Sequence, residues 1–549
     1  MSANPEGVRM SSGPETPSFH TSEDEQILHK MGYAQELFRA MGGFRNFAIS
    51  FTIISILAGC LTSYWVAFER GGPIAVTWGW LLVGAMATIV ALAMAEIASA
   101  YPTAGGLYYW ASKMGGPGWG WATGWFNLIG QVAVTASIGY GLATFAQVLF
   151  TYWFDYAGRM EDAGVGYNGS VYILYACFLG AAVLINMFNI TITSALNMVS
   201  AWWHMAGVAF IVLILIVVPD QHQSISYVFT ERVNASGYGG DTTAFTNPAF
   251  WFVFGLGLLM SQYTMTGFDA SAHTAEETHQ ASRMAAVGMW TSVFVSMIFG
   301  FILLVAVTFA IPDTQGALDN IGAVVPWIWT ESMSQNWSEV LLFICVVAQF
   351  FCVTASTTSA SRMMFAFSRD RAVPGHTLWR RVARNRVPRW SVLGIGVFSA
   401  ILMIPAIWNY LVGYAAGTAI SVIGLYIAFI LPVILRVRLG SAWDEPRAWS
   451  LGRWYKLVDW IAILWVALVT ILFVFPLYKA GLPWESDFAW ELTNYTILWF
   501  AGIGLVFGGW WALSAKNWFK GPVRMGTEEE LERMEEEQLA RFELPTEAS

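Results

Sequence analysis

Apolar residues in this chain gather in long runs and do not alternate with polar ones. A helix of about 20 apolar residues crosses a hydrocarbon layer roughly 30 Å thick. Runs of that length recur from residue 44 to residue 515. They are read as twelve spans, at 44–68, 74–99, 119–150, 170–189, 195–219, 249–275, 284–311, 338–366, 390–408, 410–435, 456–478 and 494–515. The pattern predicts an all-α integral membrane protein, numbered here by spans one to twelve.

Composition agrees, because 56% hydrophobic and 12% charged residues over 549 positions exclude an ordinary water-soluble domain. The net charge of −9 matters less than its placement. With twelve spans both termini share a side, and of the 28 Lys and Arg residues only Arg70, Arg159, Arg232 and Lys479 fall opposite. The densest run, RDRAVPGHTLWRRVARNRVPRW, follows the eighth span. Positive residues stay on the cytoplasmic side, so both termini are expected there, in a plasma membrane or a bacterial inner membrane. The first 25 or so residues lack the pattern of a cleavable signal peptide. Cys60, Cys177, Cys345 and Cys352 all lie inside spans, which argues against a disulfide framework.

Two spans carry helix-breaking residues at mid-length. The first reads FTIISILAGCLTSYW, with Leu57, Ala58 and Gly59 at its centre, and the sixth reads SQYTMTGFDASA, with Thr266, Gly267 and Asp269. They hold matching positions in two sets of five spans, as in an inverted repeat whose broken helices form a midplane binding site. An acid inside a membrane costs a few kcal/mol, so Asp269 is a functional candidate. Its structural alternative is an N-cap for the second half-helix.

Six segments carry a resemblance. They are ISILAGCLTSYWVAFERGGP, MAEIASAYPTAGGLYYWAS, GWFNLIGQVA, TGFDASAHTAEET, STTSASRMMFAFSRDRAVP and GLYIAFILPVILR. Together they make the chain similar to the amino acid-polyamine-organocation (APC) superfamily of permeases, and within it to the amino acid/choline transporter family that includes GABA permeases. The resemblance covers about residues 30 to 515. It implies a LeuT-like 5+5 inverted repeat plus two C-terminal helices, moving an amino acid such as GABA, or a related amine, by alternating access. The expected parts are a cytoplasmic tail at 1–43, a first repeat at 44–219, an outer loop at 220–248, a second repeat at 249–435, two further helices within 436–515 and an acidic tail at 516–549.

Residue roles follow from the same resemblance. Backbone amides at Leu57, Ala58 and Gly59 would hold a substrate carboxylate, and carbonyls around Tyr263, Thr264, Thr266, Gly267 and Phe268 its amine. Relatives often carry Gly-Ser-Gly where this chain has Leu-Ala-Gly. Asp269 aligns with an acid used in proton-coupled transport, and His204 falls where relatives place a lysine that stands in for sodium. A neutral core histidine is the other reading of His204. Thr357, Thr358 and Ser361 either ligate a cation or bond helix carbonyls. Asn127 and Gln131, at i and i+4, share one face and either join helices or line the pocket. Glu96, Glu276 and Glu277 are expected as gate or anchor residues near the cytoplasmic surface. The expected partners are a small-molecule amino acid or amine, protons and membrane lipid. No cofactor, metal or nucleic acid is expected, since the seven His are scattered without ligand spacing.

Overall fold

The computed structural model describes residues 23–188, 190–408 and 410–543; the outer parts of both expected tails, 1–22 and 544–549, lie outside them. Helix α1 (Glu23–Met31) precedes the first span, which is split into α2 (Gly43–Ile54), α3 (Gly59–Thr62) and α4 (Tyr64–Glu69). Then come α5 (Pro73–Ala100), α6 (Gly106–Gly115), α7 (Pro117–Phe154), the short α8 (Tyr156–Asp162), α9 (Tyr167–Phe188) and α10 (Ile190–Val217). The outer loop holds α11 (Ile225–Thr230). The sixth span is again in pieces, α12 (Pro248–Gly257), α13 (Leu259–Thr264) and α14 (Ala270–His273). Beyond it lie α15 (Ala281–Phe309), the short α16 (Thr314–Asp319) and α17 (Val324–Ser332), α18 (Gln335–Arg369), α19 (His376–Trp379), α20 (Arg389–Leu402) and α21 (Tyr410–Leu439). The chain ends with α22 (Tyr455–Leu472), α23 (Thr496–Ile503) continued through π turns into α24 (Lys516–Trp518), and α25 (Glu528–Glu543).

Local chemistry sets several boundaries. Pro73 and Pro117 open α5 and α7 at the position where a missing N–H costs nothing, behind glycines at φ +78 and +90. Tyr101-Pro102 ends α5, because the residue before proline is pushed out of the helical region.

Among the described residues ten helices are long and apolar enough to cross a membrane. Two of the twelve expected spans differ for visible reasons. The sixth is interrupted twice, and the ninth, expected over 390–408, is helical only to Leu402 before a tight turn containing Pro405. Among the described residues there is no strand, only the isolated bridges Met41–Thr278 and Arg70–Asn234. The long α7 packs against α18 and α21, and α5 against α15. This frame encloses the broken helices: Asn46, Ser50, Ser55, Gln262, Asp269 and His273 are all inaccessible.

Candidate functional site

The first break spans residues 55–58; it begins two residues before Leu57 and includes Leu57 and Ala58 of the three residues the sequence marks. Ser55 takes φ +36, a left-handed conformation unusual for a residue with a Cβ. The amides of Ala58 and Gly59 turn back onto the Ser55 carbonyl at 2.8 and 2.9 Å. Among the described residues the Ile56 and Leu57 amides meet no acceptor. The Leu57 carbonyl accepts from Gln349 Nε2 at 3.1 Å.

The second break spans residues 265–269. Its carbonyls are partly engaged: Met265 accepts from Tyr426 Oη at 2.6 Å, Phe268 from Ser50 Oγ at 2.9 Å, and Tyr263 from Thr266 Oγ1 at 2.7 Å. The Thr264 and Thr266 carbonyls meet no donor among the described residues. The breaks touch. A Cβ added at Gly59 would sit 2.8 Å from the Thr264 side chain, and one at Gly267 would overlap Ile53. Unpaired backbone amides of both segments, Ile56 and Leu57 on the first and Thr266 to Asp269 on the second, thus lie with the two unpaired carbonyls of the second where the breaks meet, all withdrawn from solvent.

Asp269 sits behind the second break. Its Oδ2 receives Gln131 Nε2 at 2.8 Å and Asn127 Nδ2 at 3.2 Å, both from α7, and lies 3.2 Å from His273 Nε2. Its Oδ1 is buried and without a partner among the described residues, as is Asn127 Oδ1. Asn127 and Gln131 therefore do share a face, and it is turned toward the acid. His273 is the member of this cluster to which the sequence pattern assigned no role. Its signal was present, since DASAH places it four residues after Asp269 on one helical face.

His204 bridges α10 to the first break. Nε2 lies 2.7 Å from Ser55 Oγ, and Nδ1 lies 2.8 Å from the Ser200 carbonyl, to which it donates. In this arrangement Thr357 Oγ1 donates to the Val353 carbonyl at 2.8 Å and Ser361 Oγ to that of Thr358 at 2.8 Å. Thr358 Oγ1 reaches Asn186 Oδ1 at 2.5 Å, so of the three hydroxyls one joins α18 to α9 and two bond carbonyls of α18 itself.

Below the centre, ion pairs close the side bearing α1 and α25. Glu277 pairs with Arg362 at 3.0 Å, and Glu276 with Arg369 at 2.9 Å. Glu276 Oε1 also accepts from the Ala104 amide at 3.0 Å. Glu96 is built differently. It bonds Arg436 at 2.9 Å, Arg447 at 3.0 Å and Ser450 Oγ at 2.9 Å, while Arg436 also grips Asp459. That buried knot ties α5, α21 and α22 together away from the breaks. On the opposite side, Tyr414 Oη donates to Thr62 Oγ1 at 2.8 Å.

A bundle of membrane-length helices with buried, unpaired backbone groups at two facing breaks defines an integral membrane protein with a polar centre. The model of the amino acid permease family matches residues 41–505, and the chain belongs to that family. It is similar to the amino-acid permease BAT1 of Arabidopsis thaliana, 36% identical over 90% of this chain and 95% of the relative. The BAT1 homolog of Oryza sativa subsp. japonica is 37% identical over the same shares. The GABA-specific permease of Saccharomyces cerevisiae is 27% identical over 91% of this chain and 86% of that protein. The chain is accordingly a transporter of the amino acid permease type and not an enzyme.

Proposed function

We propose that this permease carries a free amino acid, with GABA among the candidates, by alternating access in a LeuT-like arrangement of twelve spans. In this reading spans one to five and six to ten form the inverted repeats, the last two spans lie outside them, and both termini are cytoplasmic. The carrying observation is the complementarity of the breaks. The unpaired Ile56 and Leu57 amides suit a carboxylate, and the unpaired Thr264 and Thr266 carbonyls suit an ammonium. A choline or polyamine substrate has no carboxylate and would leave the two amides buried without a partner, which disfavours it. The pairing of second span with seventh and third with eighth supports the repeat. Asp269, screened from water and surrounded by neutral amides and one imidazole, is the coupling group. His204 braces the first break through Ser55.

The test is uptake by the purified protein in proteoliposomes, with the protein amino acids, GABA, choline and putrescine as probes. Saturable uptake of an amino acid is expected, driven by an imposed pH gradient and unchanged when potassium replaces sodium. Uptake of choline or putrescine alone overturns the substrate class, and a sodium requirement overturns the coupling.

A further inference from the structure

His273 is fully buried and touches two acceptors at once. Its Nδ1 lies 3.0 Å from the backbone carbonyl of Ala104. A carbonyl only accepts, so Nδ1 carries a hydrogen. Its Nε2 lies 3.2 Å from Asp269 Oδ2. In a neutral ring with hydrogen on Nδ1, Nε2 presents a lone pair, and an ionised carboxylate presents only lone pairs. The contact is attractive only when one further proton lies between them, either on the imidazole or on the acid.

We propose that Asp269 and His273 hold one shared proton, and that its departure releases the cytoplasmic connection at Ala104. This rests on the reading of Asp269 as the coupling group. Once the proton leaves to water, the ring keeps a single N–H for two acceptors. Hydrogen on Nδ1 retains Ala104 but opposes two lone pairs at Asp269; hydrogen on Nε2 retains Asp269 but turns a lone pair toward the Ala104 carbonyl. The bond to a carboxylate is charge-assisted and the stronger of the two, so the Ala104 bond is the one lost.

The surroundings make that choice consequential. From α7 only the neutral Asn127 and Gln131 bond Asp269, and α2 faces this region with the neutral Asn46 and Ser50. Tyr426 approaches from α21, and α18 contributes Arg362 and Arg369, each already paired with Glu277 or Glu276. No other charged side chain bonds the pair among the described residues. Ala104 in turn donates its amide to Glu276 at 3.0 Å, the carboxylate held by Arg369. Two residues on, Gly106 leaves the imidazole its room: it takes φ +46, and a Cβ there would sit 3.2 Å from the ring. One residue thus reports the tautomer of His273 to the ion pair that closes the cytoplasmic side.

The experiment uses the full chain in lipid nanodiscs without substrate. Magnetic resonance of ¹⁵N-histidine reads the His273 ring, assigned by its disappearance in His273→Gln, and amide hydrogen exchange reads residues 103–106 across the same pH series after correction for intrinsic rates. The ring should carry hydrogen on Nδ1 at low pH and on Nε2 alone at high pH. Over that step, exchange at 103–106 should rise about five- to tenfold, the effect of one lost hydrogen bond. In Asp269→Asn and His273→Gln the step should vanish. A ring that keeps hydrogen on Nδ1 throughout, or an exchange step that persists in His273→Gln, overturns the proposal. If His273→Gln does not fold, Asp269→Asn supplies the assignment through its altered ring signal, and an exchange step that persists there overturns the proposal equally. A pH-independent ring alongside proton-driven uptake defeats this inference alone, and a tautomer switch in a carrier indifferent to pH gradients defeats the coupling reading alone.

Discussion

At position 267 one methyl group decides whether the two breaks can meet. Gly267 takes φ +83, a region other residues enter at a cost near 1 kcal/mol, and an added Cβ would run into Ile53. Gly267→Ala should therefore lower stability by about 1–3 kcal/mol. It should also abolish saturable uptake, because the breaks are forced apart. Gly180→Ala, on an exposed face of α9 with open space around its added Cβ, should leave uptake unchanged. Thermal unfolding and proteoliposome uptake of the two variants give the comparison; equal uptake would mean that contact between the breaks is dispensable. At Asp269 the informative change is Asp269→Asn, which keeps shape and still accepts from Gln131 but carries no proton. It should retain exchange of substrate across the membrane and lose accumulation against a gradient. Wild-type accumulation, with the same pH dependence, would leave the acid only a structural role.

For the elements, the sequence made the long spans legible because lipid demands uninterrupted apolar helix, and it marked both breaks by mid-span Gly and Asp. The first break begins two residues ahead of its mark and ends within it, at Ala58. Gly59 is not where the helix opens; it begins α3, and its missing Cβ serves the approach of Thr264, while the left-handed turn falls on Ser55, a residue with no such signature. The partners of Asp269 were half legible: Asn127 and Gln131 announced a common face, but that face could be aimed only by tertiary packing. The buried ion pairs were equally hidden, since Glu277 and Arg362 are 85 positions apart. Both are buried, and removing one partner of such a pair costs about 3–5 kcal/mol because the other charge is stranded. Glu277→Gln should thus depress thermal stability by that order. The double change Glu277→Leu with Arg362→Met, which strands no charge, should recover most of the loss. A double variant no better than the single one would show that the geometry of the pair, and not charge burial, carries the stability.

In the whole molecule, the two ends of the chain close over one face, the side of the Glu276–Arg369 and Glu277–Arg362 pairs. Asp24 of α1 caps the start of α15 through the Gln280 and Ala281 amides at 2.7 and 3.0 Å, and Gln35 donates to the Glu276 carbonyl at 2.7 Å. Arg369 stacks 3.8 Å over Tyr33, whose hydroxyl donates to Asp370 at 2.8 Å. The C-terminal segment joins them, with the Val523 amide on Asp370 at 2.9 Å and Glu535 of α25 on His29 at 2.9 Å. Glu36 lies in this strap, outside the spans, with 18% of its side chain exposed and its carboxylate 3.9 Å from Arg369. Burial pushes its carboxyl up from 4.5 to about 7; Arg369 opposes that rise, Glu276 adds to it, Arg380 opposes and Asp370 adds. An acid whose pKa is raised in the packed state binds its proton more tightly there than when released. Its contribution is complete below pH 4.5 and is lost as pH climbs through about 7. Hydrogen-exchange protection of residues 23–40 should consequently fall between about pH 5 and about pH 8. In Glu36→Gln, neutral at every pH, protection at the alkaline end should exceed that of the parent, and the two should converge at the acid end. A parallel fall in both proteins would assign the pH response of the strap to another group.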